Sequence, residues 1–263
     1  MVPELIQALG HVGLLVLVYV NIVFVIALMR ADNSIMDIAW GLGFILIALY
    51  TLFLNGEYNA LQVTVTAMVI IWGGRLSMHI YLRNRKKTED FRYRNWRENW
   101  GDTFVLRSYL QVFLLQGFLM IVFSVPVILL NIRGTSGFSV SGGIGAAVWL
   151  FGFFWEAVAD YQLRRFKTTS DKSGKIMTDG LWKYSRHPNY FGESVVWWGI
   201  WIVALSAPWG WVTVVSPALL TFFLLKVSGV PMLEKKYKDN PAYHKYRQRT
   251  NTFIPGPPQS SAD

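Results

Sequence analysis

Residues 184–193 read "YSRHPNYFGE", and residues 194–215 continue "SVVWWGIWIVALSAPWGWVTVV". The first stretch sets a guanidinium, an imidazole, an amide, two phenols and a carboxylate around one proline. The second is almost purely apolar. Such a junction makes physical sense at the edge of a bilayer, where an apolar run enters hydrocarbon and a polar mouth stays in water.

The rest of the chain supports that reading. Of 263 residues, 53% are hydrophobic, 16% aromatic and only 16% charged, against about a quarter charged in an ordinary soluble domain. The absence of cysteine excludes a disulfide framework and a thiolate metal site. A formal charge of +9 is compatible with nucleic acid, but nearly all Lys and Arg lie in three blocks between apolar stretches. That is the charge pattern of an integral membrane protein.

Spanning a bilayer takes about 17–25 mostly apolar helical residues. Seven stretches meet or approach this, at 5–29, 35–55, 61–82, 110–131, 143–164, 191–207 and 210–228. The last two are joined by "SAPWG", with Pro208 and Gly210 as breakers, and form either two spans or a re-entrant hairpin. The first lacks a basic start and a small-residue cleavage site, so it is not read as a removable signal peptide. The expected fold is an all-α integral membrane protein of about seven transmembrane helices. One membrane-embedded domain is expected over 1–255 and a disordered tail over 256–263.

Topology follows from charge. Loop 83–109 holds eight cations against four acids, loop 164–190 seven against two, and the chain after residue 228 six against three. With seven spans these blocks share one face, and the loops at 56–60 and 132–142, with one cation between them, share the other. The positive-inside rule then puts the N-terminus outside and the C-terminus in the cytosol.

Charged side chains at mid-membrane cost about 2.5–3.5 kcal/mol on insertion scales, so each needs a reason. Asp37 lies one turn into the second span and Arg75 near the cytosolic end of the third. Glu156 and Asp160, four residues apart, share a face of the fifth, and Glu193 opens the sixth. All fall in the cytosolic half of this topology. They are read either as structural ion pairs or, taken as a set, as the lining of one pocket. The four histidines show no HxxxH or HExxH spacing, so no metal site is expected.

The segment "EDFRYRNWRENW", residues 89–100, interleaves Arg92, Arg94 and Arg97 with four aromatic residues, including Tyr93. Aromatic faces can stack on a flat ring while guanidinium forks hold phosphates. With seven spans in the chain, a soluble anionic cofactor carrying adenine fits this chemistry better than single-stranded nucleic acid. "SGGIGAAVW", at 141–149, imitates part of a dinucleotide fingerprint but does not follow a strand, and is not read as one.

The stretches "ADNSIMDIAWGLGF", "WGGRLSMHIYLRNR", "EDFRYR", "GLWKYSRHPNYFGE" and "NTFIPG" together resemble the steroid 5-alpha-reductase superfamily, most closely its bacterial branch of uncharacterised membrane proteins. The decapeptide alone is also similar to the Arg-His-Pro-aromatic-Gly pattern of isoprenylcysteine and phospholipid methyltransferases, which use S-adenosylmethionine. The resemblance implies a seven-helix bundle in a bacterial inner membrane. It also implies an NADPH site open to the cytosol, with NADH possible, and a lipophilic substrate.

The family's Asn-x-x-Gly-Glu cofactor element falls on Asn189, Gly192 and Glu193, and its fifth-span aspartate on Asp160. Glu156 stands where the family has an amide. Lys167 and Lys175 stand where the animal steroid reductases have arginines, and Arg85 and Arg247 match basic family positions. Tyr184, Arg186, His187 and Tyr190 would complete the cofactor mouth, with Arg186 and His187 on phosphate or ribose.

The family's catalytic Gln-Glu pair and third-span Tyr are replaced here by Asp37 and by Trp72, which lies beside Arg75. Either a protonated Asp37 or the cation Arg75 would stabilise an enolate oxygen. If Arg75 pairs directly with Asp37, the acid cannot donate and Arg75 is the better oxyanion stabiliser. The rival functions are a methyltransferase using the same mouth and a transporter, although the repeats or matched broken helices of a transporter are absent.

Overall fold

A computed structural model describes residues 2–56, 58–85, 87–133, 139–168 and 175–259. Among them there is no strand. The long helices are α1 (Val2–Arg30), α2 (Ile35–Asn55), α3 (Ala60–Asn84), α6 (Leu115–Arg133), α7 (Val140–Thr168) and α8 (Pro188–Ala204). Shorter ones are α4 (Phe91–Trp100), α5 (Phe104–Ser108), α9 (Val215–Phe222), α10 (Val230–Lys236) and α11 (Pro241–Arg249).

Among the described residues, six helical stretches are long and apolar enough to cross a membrane: Glu4–Arg30, Ile35–Asn55, Ala60–Asn84, Phe91–Arg133, Val140–Thr168 and Gly210–Lys235. The stretch expected over 110–131 is the apolar half of a longer rod that starts at α4 and passes a π-turn at Tyr109–Leu114. The stretch expected over 191–207 becomes α8, of 17 residues, or about 25 Å of helix. The chain is an integral, multi-pass membrane protein.

Local sequence sets the helix ends. The Asn59 side chain accepts from the N–H groups of Leu61 and Gln62 at 3.0 and 2.9 Å, and Gln62 returns a bond to the Asn59 N–H, a reciprocal cap on α3. Asp90 caps α4 through the Arg92 N–H at 3.0 Å, and Asn240 caps α11 ahead of Pro241. Pro188 occupies the first position of α8, where no N–H is needed.

The chain gathers into two compact units. The first comprises Met1–Ser139 with Ala204–Thr213, and the second Val140–Val203 with Val214–Asp263. In the first unit α2 packs against α1, α3 and α6. Gly41 and Gly73 face each other so closely that a side chain on either would strike the other's backbone carbonyl. At the far end of this bundle Asn131 is fully buried, and its amide donates to Ala48 O, Thr51 Oγ1 and Thr66 Oγ1 at 3.0–3.2 Å. Gln62 donates to the Asn131 carbonyl at 2.8 Å, so this core amide and its neighbours are satisfied across three helices.

In the second unit α7 and α8 meet along a ladder of glycines. A Cβ on Gly199 would sit 2.6 Å from Trp149 N and 2.9 Å from Gly145 O. One on Gly152 would sit 2.7 Å from Val196 N, and one on Gly192 2.6 Å from Glu156 N. The spacing of seven residues on both helices keeps small residues on one face, which is how helices approach closely where lipid supplies no hydrophobic drive. The glycine-rich "SGGIGAAVW" therefore supplies Gly145 to helix packing.

The N–H of Gly256 donates to Tyr184 O at 3.1 Å and that of Gln259 to Arg249 O at 2.9 Å. Residues 260–263 of the expected disordered tail lie outside the described residues.

Candidate functional site

The first unit carries a polar cluster at the start of α2. Asp37 accepts from the Arg92 guanidinium at one oxygen and from the Tyr93 phenol, 2.6 Å away, at the other. Arg92 also binds the Asp90 carboxylate at 2.9 Å, so it lies between two acids. Burial alone would raise the Asp90 carboxyl, but its bonds from Arg92 leave it below the usual carboxylate range. The Asp90 N–H donates to Ser34 Oγ at 2.7 Å and the Asn33 N–H to Glu89 at 2.9 Å, pinning the loop to the first turn of α2. Arg97 completes the clamp, reaching Glu89 at 2.9 Å with its guanidinium 4.1 Å from the Phe104 ring centre.

This arrangement changes how "EDFRYRNWRENW" is read. Arg92, Tyr93 and Arg97 are committed to protein carboxylates, and Arg94 to Thr88 and the Glu89 carbonyl. Trp96 and Trp100 already stack on each other, with ring centres 5.3 Å apart and planes 8° from parallel. The segment uses its cations and rings to fasten α4 over Asp37. Trp72 is fully buried and meets Phe44 edge-on at 5.5 Å, a core contact between α2 and α3. Arg75 is half-buried one turn further along α3, and Arg85 is exposed just past its end.

The second unit holds the decapeptide. Glu156 and Asp160 are buried at 2% and 6% exposure on one face of α7. Asn189, in the first turn of α8, donates to Asp160 at 3.3 Å. Gly192 meets the α7 backbone at Glu156, so α7 and the start of α8 form one close-packed element. Buried polar atoms at this corner without a hydrogen-bond partner among the described residues include Asn189 Oδ1 and His187 Nδ1. His187 lies parallel to Tyr190, with ring centres 5.6 Å apart. Glu193 is half-buried; Tyr184, Lys167, Lys175 and Arg247 are exposed.

Arg186 stands where a phosphate ligand was expected but is spent inside the protein. It is 6% exposed and donates to Glu234 at 2.7 and 3.0 Å, to Thr252 Oγ1 at 2.8 Å, and to the carbonyls of Thr250 and Arg247 at 2.6 and 3.2 Å. Its backbone N–H donates to Asn251 O. The side chain is a clamp joining the decapeptide to α10, α11 and the segment after α11. His187 Nε2 faces the same Glu234 at 3.5 Å. Glu234 was not foreseen, and in "VPMLEKKYK" nothing local marks it out from any acid in a basic tail.

The chain belongs to the DUF1295 family, described as a protein family of unknown function, whose model matches residues 23–250. It is also 31% identical over 104 residues to 3-oxo-5-alpha-steroid 4-dehydrogenase 1 of Bos taurus, a match that covers 38% of this chain and 38% of that relative. The match therefore spans well under half of the relative's length. These findings bear out the resemblance to the steroid 5-alpha-reductase superfamily. No solved structure matches the chain.

Proposed function

We propose that this chain is a reductase of the bacterial cytoplasmic membrane, cytosolic at its C-terminus, that uses NADPH to reduce an activated C=C bond in a steroid-like or other lipid. The observation that carries the reading is the α7–α8 corner. Two buried acids, an amide bonded to one of them, and buried polar atoms without partners suit a ligand rich in hydroxyl and phosphate groups. Asn189, Glu193, Asp160 and Glu156 would hold that ligand, and the exposed cations Lys167, Lys175 and Arg247 would draw its phosphates. NADPH, when bound, supplies the hydride.

For the substrate, the chain must stabilise an enolate oxygen. Asp37 already accepts from Arg92 and Tyr93 on both oxygens. A carboxylate so engaged holds α4 in place, with both oxygens already taken up by protein donors. Arg75 is the better candidate for the oxyanion, as a fixed cation in a low-dielectric setting.

A second reading, a methyltransferase using S-adenosylmethionine, draws on the internal use of Arg92, Arg97 and Arg186, which lowers the number of cations left for a pyrophosphate. Ligand-dependent melting of the detergent-purified protein separates the two. A ligand at about 100 times its Kd adds about 2.7 kcal/mol, or about 5–10 °C at this size. The reductase reading expects that shift with NADPH, and its loss in Asn189→Ala. A shift with S-adenosylmethionine alone would overturn it.

A further inference from the structure

We infer that α11 is a docking surface for anionic lipid headgroups at the edge of the bilayer. The helix is two-faced. Tyr243 and Tyr246 are 7% exposed and bind inward, to Glu234 and to the carbonyls of Trp182 and Ser185. The outward face exposes Lys245 and Arg249, with Arg247 exposed on the flank; the turn before the helix adds Lys238, and Lys235 is exposed on α10. Asp239 approaches Lys238 at 3.9 Å with both side chains well exposed, and Glu234 is already taken by Arg186. Among the described residues no carboxylate pairs with Lys245, Arg247 or Arg249.

Three features turn this charge into a surface directed at lipid. The patch lies at the end of Gly210–Lys235, a stretch long and apolar enough to cross a membrane. The helix that carries these cations is fixed at both ends. Asn240 caps the helix, the His244 ring donates to the Lys238 carbonyl at 2.6 Å, and Gln259 closes on Arg249 O. A basic loop would suffice to set topology, whereas a capped helix holds Lys245 and Arg249, four residues apart, on one face. Positive charge at that position complements the negative surface of a membrane rich in anionic lipid, which attracts juxtamembrane cations within a Debye length.

The test compares amide hydrogen exchange across 241–249 in nanodiscs of phosphatidylcholine with that in discs of phosphatidylcholine and phosphatidylglycerol. The inference expects exchange to slow about fivefold or more in the anionic discs. The effect should disappear at about 1 M salt, where screening acts within about 3 Å, and in the double variant K245Q/R249Q. That variant keeps the inward tyrosines and every residue assigned to the cofactor, and unchanged exchange in α7 and α8 shows that it folds. Equal exchange in both discs, or undiminished slowing in the variant, would overturn the inference. So would equal protection from free pyrophosphate in phosphatidylcholine discs.

Discussion

Replacing Gly199 by alanine tests the close packing of α7 on α8. The new Cβ would lie 2.6 Å from Trp149 N and 2.8 Å from Trp149 Cα, about 0.8 Å short of the 3.4 Å at which ordinary contact begins. Both neighbours are backbone, so no side chain can swing aside and the helices must separate. Overpacking of this kind costs about 1–3 kcal/mol. Alanine also gains about 1 kcal/mol of helix propensity over glycine, which a suitable control removes. Gly13, inside α1, has nothing within 4 Å of its would-be Cβ, so Gly13→Ala carries the propensity gain alone.

The difference between the two variants isolates the packing cost. At about 2–4 °C per kcal/mol, Gly199→Ala should melt about 2–12 °C below Gly13→Ala, with Gly13→Ala at or above the parent. Melting is followed in detergent by intrinsic tryptophan fluorescence. Equal melting temperatures for the two variants would refute the glycine ladder as a packing constraint.

Arg186→Met removes a clamp with five donated side-chain bonds and leaves Glu234 without its guanidinium. Breaking a buried pair in this way costs about 3–5 kcal/mol, and limited proteolysis should open residues 230–259 first. The pH dependence offers a second check. Burial, with the Glu234 carboxylate beside it, pushes the Tyr243 phenol up to about 12 from 10.0. Above pH 10 the unfolded chain ionises this phenol while the folded chain still keeps its proton. The stability it contributes is therefore full below pH 10 and lost as pH rises toward about 12. Tyr243→Phe, measured by melting across that range, should flatten this part of the alkaline decline.

Much of the molecule could be read locally. The span positions follow from runs of apolar residues whose length must match a bilayer. Caps such as Asn59 with Gln62, and starts such as Pro188, are set within one turn. The depth of Glu156 and Asp160 could be counted along α7, and both are buried. Local reading does not show where a charge finds its partner far along the chain. Arg92 was read as a phosphate ligand and reaches Asp37 across 55 residues; Arg186 was read the same way and reaches Glu234 across 48. An arginine beside aromatics looks alike whether it awaits a ligand or already holds an acid.

The sequence by itself determined that this is a helical membrane protein, where its polar residues fall along each helix, and which family it resembles. Those properties depend on composition and on the 1.5 Å rise per residue, which need no partner. Tertiary structure alone decided which cations are spent, which phenol meets Asp37, and which glycines bring α7 and α8 together. A buried charge must be neutralised by whatever the fold carries next to it, and closeness in space is not recorded in the order of the residues.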